Sequence, residues 1–431
     1  MEHRVKRNGL LALSPLLVMM LLFVVLGTTL GGFADIPLLV VFICTSAYAL
    51  WTLRGMPFGK RLTVFSRGAG EPNLLLMEWI FVMAGAFAAS AKGMGAVEAA
   101  VNLTLGLLPA GMLLPGLFLS ACFISLAIGT SVGTIVALTP IAAGVATQSE
   151  MSVALTVAAV VSGAFFGDNL SFISDTTVAA TQSQGCRMSD KFKTNFWIAL
   201  PAAVVTFFVY MWLSREATPI EALGAVDFWK IVPYLVVLIA ALLGMNVLVV
   251  LCVGVVLSGA IGLIGGDYTL ATWLAAVCTG IGGMAELILI SMMAGGLLSV
   301  IRRGGGITYL LRALTKRVHT PRGAQLSIAL LVSVCNLYTA NNTVAILSVG
   351  SLARDIAERF HISPKRAASI LDTFSCCIQG LIPYGAQLLM AAGLSALSPT
   401  RIVPHLCYPL LLGVSALVFI LIQKKGSPQA G

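Results

Sequence analysis

The stretch Gly167-Asp168-Asn169-Leu170-Ser171-Phe172-Ile173-Ser174-Asp175-Thr176-Thr177 breaks an otherwise apolar run that begins near Met151. Within eleven residues it gathers two carboxylates, one amide and four hydroxyls. If that run lies in a bilayer, each charge near its centre costs about 2.5–3.5 kcal/mol on insertion scales. Unwound backbone at that depth is tolerated only where it is buried in protein or lines a cavity. The segment is therefore either an ordinary loop or the broken middle of a membrane helix, and the rest of the chain decides which.

Composition decides for the membrane. Of 431 residues, 58% are hydrophobic and only 10% are charged, against roughly 25% charged in soluble domains. With a mean hydropathy of +0.97, there is too little charge to cover a water-facing surface. A soluble enzyme, a nucleic-acid binder and a disordered chain are excluded. The net charge of +9 reads as basic residues collected in cytoplasmic loops rather than as an acidic partner. The nine cysteines show neither a CxxC nor a Cys/His metal spacing.

Runs near the 20 residues that cross a bilayer fall at 9–30, 36–53, 74–92, 192–213, 231–244, 245–264, 284–301 and 403–422. Two segments, 151–183 and 364–397, start as apolar helices and break midway. Two regions, 107–147 and 324–356, are apolar on both sides of a polar tip and read as re-entrant hairpins. The tips are Gly129-Thr130-Ser131-Val132-Gly133-Thr134 and Thr339-Ala340-Asn341-Asn342-Thr343. The same order of elements occurs twice. Met83-Ala84-Gly85 recurs as Met293-Ala294-Gly295, and Thr130 and Thr134 align with Thr339 and Thr343.

The expected fold is thus an all-α polytopic membrane protein made of two inverted-topology repeats, 1–215 and 216–431. Each repeat would hold about five transmembrane helices plus a re-entrant hairpin, with broken helices at the midplane. With the N-terminus inside, all but four of the 26 Lys and Arg fall in inside loops, leaving Lys92, Arg215, Lys230 and Arg401 outside. That bias places both termini in the cytoplasm. Glycine-rich helix faces permit close packing within one subunit or between two, so a homodimer stays open.

The spans hold Lys and Arg only near their ends, so the counter-ion to Asp168 and Asp175 is expected to be a metal cation or protons. Asn169, Ser171, Ser174 and Thr176 complete a set of hard oxygen donors suited to sodium. His3, His319, His361 and His405 stand at the terminus or near loop ends, which disfavours a transition metal. The second break, Gln379-Gly380-Leu381-Ile382-Pro383-Tyr384-Gly385-Ala386-Gln387, carries no carboxylate. Gln379, Tyr384 and Gln387, with Thr130, Ser131, Thr134, Asn341, Asn342 and Thr343 at the tips, are candidates for a second ion or a substrate. Asp372 falls well inside a predicted helix, as a proton carrier or as a protonated group bonded to a neighbouring helix.

The first break resembles the NhaC-type sodium/proton antiporters of the ion-transporter superfamily, whose pattern runs Gly-Asp-Lys-Met-Ser-Pro-Leu-Ser-Asp-Thr-Thr. Gly167, Asp168, Ser171, Ser174, Asp175, Thr176 and Thr177 match it, whereas Asn169, Leu170, Phe172 and Ile173 depart from it. The resemblance implies sodium bound at Asp168 and Asp175, a bacterial inner membrane, and Na+ and H+ as the transported ions, with no other cofactor. Having Asn169 where the pattern has Lys removes a positive charge beside Asp168.

Two functions remain from these readings. One is Na+/H+ antiport at a shared aspartate site by alternating access. The other is sodium-coupled symport of a small organic solute, an amino acid or carboxylate, using the neutral second half. An intramembrane aspartyl protease would take its two Asp from separate helices, whereas Asp168 and Asp175 share one unwound stretch.

Overall fold

Apolar helices run through the whole of the computed structural model, which describes residues 2–30, 36–172, 174–216, 227–307, 309 and 320–422, with the side chains of 2–9, 73 and 110 left aside. Among the described residues no strand occurs, and eight helices are long and apolar enough to cross a membrane. A ninth crossing arises if the bent pair Pro399–His405 and Cys407–Ile422 is one span. The chain is an all-α, multi-pass membrane protein.

Ten helices position the site. The first hairpin comprises α1 (Leu113–Ile128) and α2 (Ser131–Gln148), turned at Gly129 with φ +77°. The first broken helix comprises α3 (Val153–Leu170) and α4 (Asp175–Gln184), followed by α5 (Met188–Leu213). The second half repeats this order. Its hairpin is α6 (Pro321–Thr339) and α7 (Asn342–Arg359), turned at Ala340 with φ +49°. Its broken helix is α8 (Pro364–Leu381) and α9 (Ala386–Ser395), followed after a short kink by α10 (Cys407–Ile422).

The interruptions have local causes. The α3 helix ends where polar residues follow an apolar run, and the Ser171 amide closes its last turn on Gly167 O at 2.7 Å. In the other half Pro383 has no N–H to continue a ladder, and the chain resumes at Ala386. Gly163 and Gly167 let α3 lie against α1 so closely that a Cβ at either would strike α1 backbone, on Phe118 or Leu126. Ser125 Oγ donates to Ala164 O across this contact at 2.6 Å. Close approach through small residues is a common device of membrane helices, and here it brings the end of α3 to the hairpin tip.

The halves are interlocked. The α2 limb packs on α9, and α7 packs on α4, so each hairpin clasps the broken helix of the other half. The same exchange recurs in the outer helices. Helix Pro72–Gly93 meets Leu270–Gly283 where the backbones of Gly85 and Gly280 touch, and Ala285–Arg303 meets Phe58–Ala69 where Gly295 and Gly68 touch. At all four glycines a Cβ would collide with the opposing backbone.

Three short helices were not expected from the sequence. Phe58–Ala69, Ala96–Leu107 and Leu270–Gly283 have 12, 12 and 14 residues, below the length a spanning run needs. The first carries Lys60, Arg61 and Arg67 on a helix rather than on a loop. The proposed boundary at 215 adjoins residues 217–226, which lie outside the described residues, as do 310–319 and 423–431.

Candidate functional site

Asp168 is the next-to-last but one residue of α3, and it is 5% exposed. Its carboxylate is held from three directions. Ser174, which stands just before α4, donates to Oδ1 at 2.6 Å. Ser131, at the start of α2, donates to Oδ2 at 3.1 Å. Asn342, at the start of α7, donates its amide to Oδ2 at 3.2 Å. The first two come from the first half and the third from the second, each from the start of a helix, where partial positive charge accumulates. None of the three donors carries a formal charge, so the carboxylate is cradled by neutral groups.

A chain of amides ties the second break to the same carboxylate. Gln379 donates to Ala340 O at 2.8 Å and to Gln387 Oε1 at 2.9 Å. Gln387 in turn donates to Ser131 Oγ at 3.1 Å, and Ser131 reaches Asp168. Tyr384 OH donates to Leu337 O at 2.7 Å. The polar groups of the neutral half therefore fasten its break to the α6–α7 tip and to Asp168.

Asp372 forms a second centre in the middle of α8, fully buried. The Lys191 ammonium lies 2.7 Å from Asp372 Oδ2, with side-chain exposures of 1% and 0%. Asn169 and Asn195 each donate an amide to the same oxygen at 2.9 Å. Lys191 also donates to Asn169 O at 2.6 Å and Thr177 Oγ1 at 2.7 Å, and Asn195 donates to Asn169 O at 3.2 Å. A cation and an amide thus close the carbonyl end of α3, whose last C=O groups have no partners within the helix. The Asp372 carboxylate is thus ion-paired to Lys191 and bonded to two neighbouring helices through Asn169, Asn195 and Lys191.

The expectation that no protein cation lies among the buried carboxylates fails at Lys191, which was counted among the inside-loop charges. It sits in the first turn of α5 but its stem runs inward, leaving it 0% exposed. Arg366 departs in the same way: its guanidinium donates to Gln325 Oε1 at 3.0 Å and Phe419 O at 3.2 Å. Neither residue stands in a loop.

Other expected site residues divide. Thr176 Oγ1 lies 2.9 Å from Ser174 Oγ and 3.4 Å from Asp168 O, within the Asp168 group. Ser171 is buried, and its carbonyl accepts from Thr177 at 2.8 Å. Asn169 belongs to Asp372 rather than to Asp168. Asp175 opens α4 but its side chain is exposed, so it is not gathered around the Asp168 carboxylate. Thr134 spends its hydroxyl on Thr130 O at 3.1 Å, and Asn341 caps α7 through Val344 N at 3.0 Å. Thr343 presents its backbone amide to Asn342 Oδ1 at 3.1 Å. Lys191 and Asn195 were missed, although their spacing of four places both on one face of α5.

Comparison with known proteins bears on the same segments. The model of the Na+/H+ antiporter family matches residues 75–215 and 216–423, and the chain belongs to that family. It is 25% identical to the Na(+)/H(+) antiporter NhaC of Bacillus subtilis, covering 90% of this chain and 91% of that one. It is 26% identical to the Na(+)/H(+) antiporter NhaC of Alkalihalophilus pseudofirmus, over 60% and 62% of the two chains. A Malate-2H(+)/Na(+)-lactate antiporter of Bacillus subtilis is 20% identical, over 68% and 70%.

Proposed function

We propose that this member of the Na+/H+ antiporter family exchanges Na+ for H+ at the Asp168 carboxylate, by alternating access. The observation that carries the reading is the convergence of Ser174, Ser131 and Asn342 on a carboxylate 5% exposed. A carboxylate removed from water and met only by neutral donors is costly as a bare anion. It is stabilised by one bound cation or by one proton, and the two exclude each other. That exclusivity is what antiport requires. Sodium would take the Asp168 oxygens together with the Ser131, Ser174 and Thr176 hydroxyls, a hard-donor set. Asp175, exposed at the start of α4, would act on approach rather than in the occluded site.

The contact pattern supports the access mechanism. Hairpins and broken helices clasp one another across the halves, as do the outer helices among themselves, and the two groups meet where Ala96–Leu107 packs on α2 and Pro72–Gly93 on α9. Displacement of one group against the other would expose Asp168 to alternate sides. We propose further that 1–215 and 216–431 are inverted repeats, with Gly85/Gly280 and Gly295/Gly68 as corresponding contacts. An inner-membrane location with both termini cytoplasmic follows the basic-residue bias.

A relative named as a malate and lactate antiporter raises solute coupling as the second reading. Against it, Gln379, Gln387 and Tyr384 are engaged with one another, with Ser131 and with backbone carbonyls. The test is purified protein in liposomes, with lumenal pH followed after a sodium gradient is imposed. Proton movement without added solute, lost in Asp168→Asn, is the expected result. A silent trace, with sodium flux only after a carboxylate or amino acid is added, overturns it.

A further inference from the structure

The Lys191 ammonium has three N–H donors and meets three oxygens: Asp372 Oδ2 at 2.7 Å, Asn169 O at 2.6 Å and Thr177 Oγ1 at 2.7 Å. Carboxylate, backbone carbonyl and hydroxyl are also the donor types around Asp168. Two further acceptors, Asn169 Oδ1 and Asn195 Oδ1, are buried there with no hydrogen-bond partner in the described structure. Their amide nitrogens already donate to Asp372 Oδ2, which turns each carbonyl oxygen away from that bond. An oxygen-rich pocket with surplus acceptors suits a cation better than a network of neutral hydrogen bonds.

We propose that Lys191 is a tethered cation occupying a second cation cage built on Asp372, so that the protein exchanges one sodium at a time, at Asp168 alone. The inference rests on the reading of Asp168 as the exchange site. It goes beyond that reading by making Asp372 a latent sodium site that the chain's own side chain keeps closed. Both carboxylates are buried, but only one lacks a resident cation. Asn169 is the positioning residue between them: its side chain reaches Asp372 while its neighbour in sequence is Asp168. A sodium ion arriving at Asp372 would have to displace an ammonium that is covalently tied to α5 and held by three bonds. A tethered competitor of this kind acts at a high effective concentration.

The experiment is equilibrium binding of radioactive sodium to the purified full chain at pH 9, where proton competition is weak, counted per molecule. The wild type is expected to bind one. Lys191→Ala, which empties the cage, is expected to bind two, and Lys191→Ala/Asp372→Asn to return to one. Lys191→Arg, which keeps the tethered charge, is expected to stay at one. Two sodium ions on the wild type, or one on a folded Lys191→Ala, overturns the proposal. Should Lys191→Ala not fold, Lys191→Ser is expected to bind two in its place, and one on a folded Lys191→Ser overturns the proposal. Asp168→Asn separates the two readings. A variant that still binds one removes Asp168 as the exchange site, while a rise from one to two on Lys191→Ala continues to support the tethered cation.

Discussion

Asn169 donates its side-chain amide to Asp372 Oδ2 at 2.9 Å across the two halves of the chain, and its neighbour Asp168 is the other buried carboxylate of the site. One peptide link thus joins an acid cradled by neutral donors to an acid paired with Lys191. Loss of this bond leaves Asp372 with Lys191 and Asn195. Asn169→Ala is expected to lower stability to thermal unfolding by about 1.5–3 kcal/mol, the contribution of a hydrogen bond to a charged group, while leaving exchange measurable and the sodium KM within a few-fold. Thermal unfolding and sodium titration of the proton-flux rate check it.

Ser174 makes the shortest bond to Asp168, at 2.6 Å. Ser174→Ala is expected to raise the KM for sodium by about tenfold or more with a smaller change in maximal rate. Ser174→Thr, which keeps the hydroxyl, is expected to recover most of the affinity. A variant series in proteoliposomes gives both numbers.

Asp168 and Asp175 are expected to behave unequally. Asp168→Asn removes the only acid in its cradle and is expected to abolish sodium-driven proton flux. Asp175→Asn changes an exposed residue at a helix start, where an acid contributes about 0.3–1 kcal/mol, and is expected to raise the sodium KM a few-fold. Equal and complete loss in both would argue that Asp175 enters the occluded site in another state.

Competition for one carboxylate fixes the sign of the pH response. Sodium binds the deprotonated form, so raising pH on both sides is expected to lower the apparent KM for sodium. The fall approaches about tenfold per pH unit where the protonated form predominates, then levels off, as one-proton linkage requires. A KM independent of pH, or a slope near two protons, would contradict a single exchanging acid.

Truncating one partner of the Lys191–Asp372 pair is expected to cost about 3–5 kcal/mol, and replacing both with apolar residues of similar size much less. Thermal unfolding of Lys191→Met, Asp372→Leu and the double variant in detergent forms the cycle. A double variant as unstable as the sum of the singles would remove the pair's role in stability.

Much of this arrangement is legible in the amino-acid order. Runs such as 74–92 and 245–264 are long and apolar enough to be found by length alone, and they coincide with Leu74–Gly93 and Val247–Ile264. The two interruptions announce themselves through polar clusters or through Pro383 and its glycines. Asn342, Ser131 and Gln387 were visible as polar residues at tips and breaks, and the fold brings them together. Lys191 was hidden because Ser189, Asp190 and Lys193 surround it, so a hydropathy window reads it as surface. Its long stem then carries the charge inward. The helices Phe58–Ala69 and Leu270–Gly283 were hidden because their stability comes from glycine contacts with distant helices, which no local pattern records. Asp175 differs for another reason: its side chain is exposed at the start of α4, while Ser174 beside it turns to Asp168.

The Lys191–Asp372 pair also sets a timetable for making the protein. Ribosomes deliver Lys191 well before Asp372, and until then only the neutral oxygens of Asn169 and Thr177 compete with water for its ammonium. During synthesis α5 is expected to wait with that side chain turned outward, since no opposite charge yet draws it in. The site is finished only when α8 enters and draws it in. Chains stopped after α5 should leave Lys191 open to amine-reactive labels, whereas complete chains should shield it, so labelling of this one lysine would report the moment of assembly.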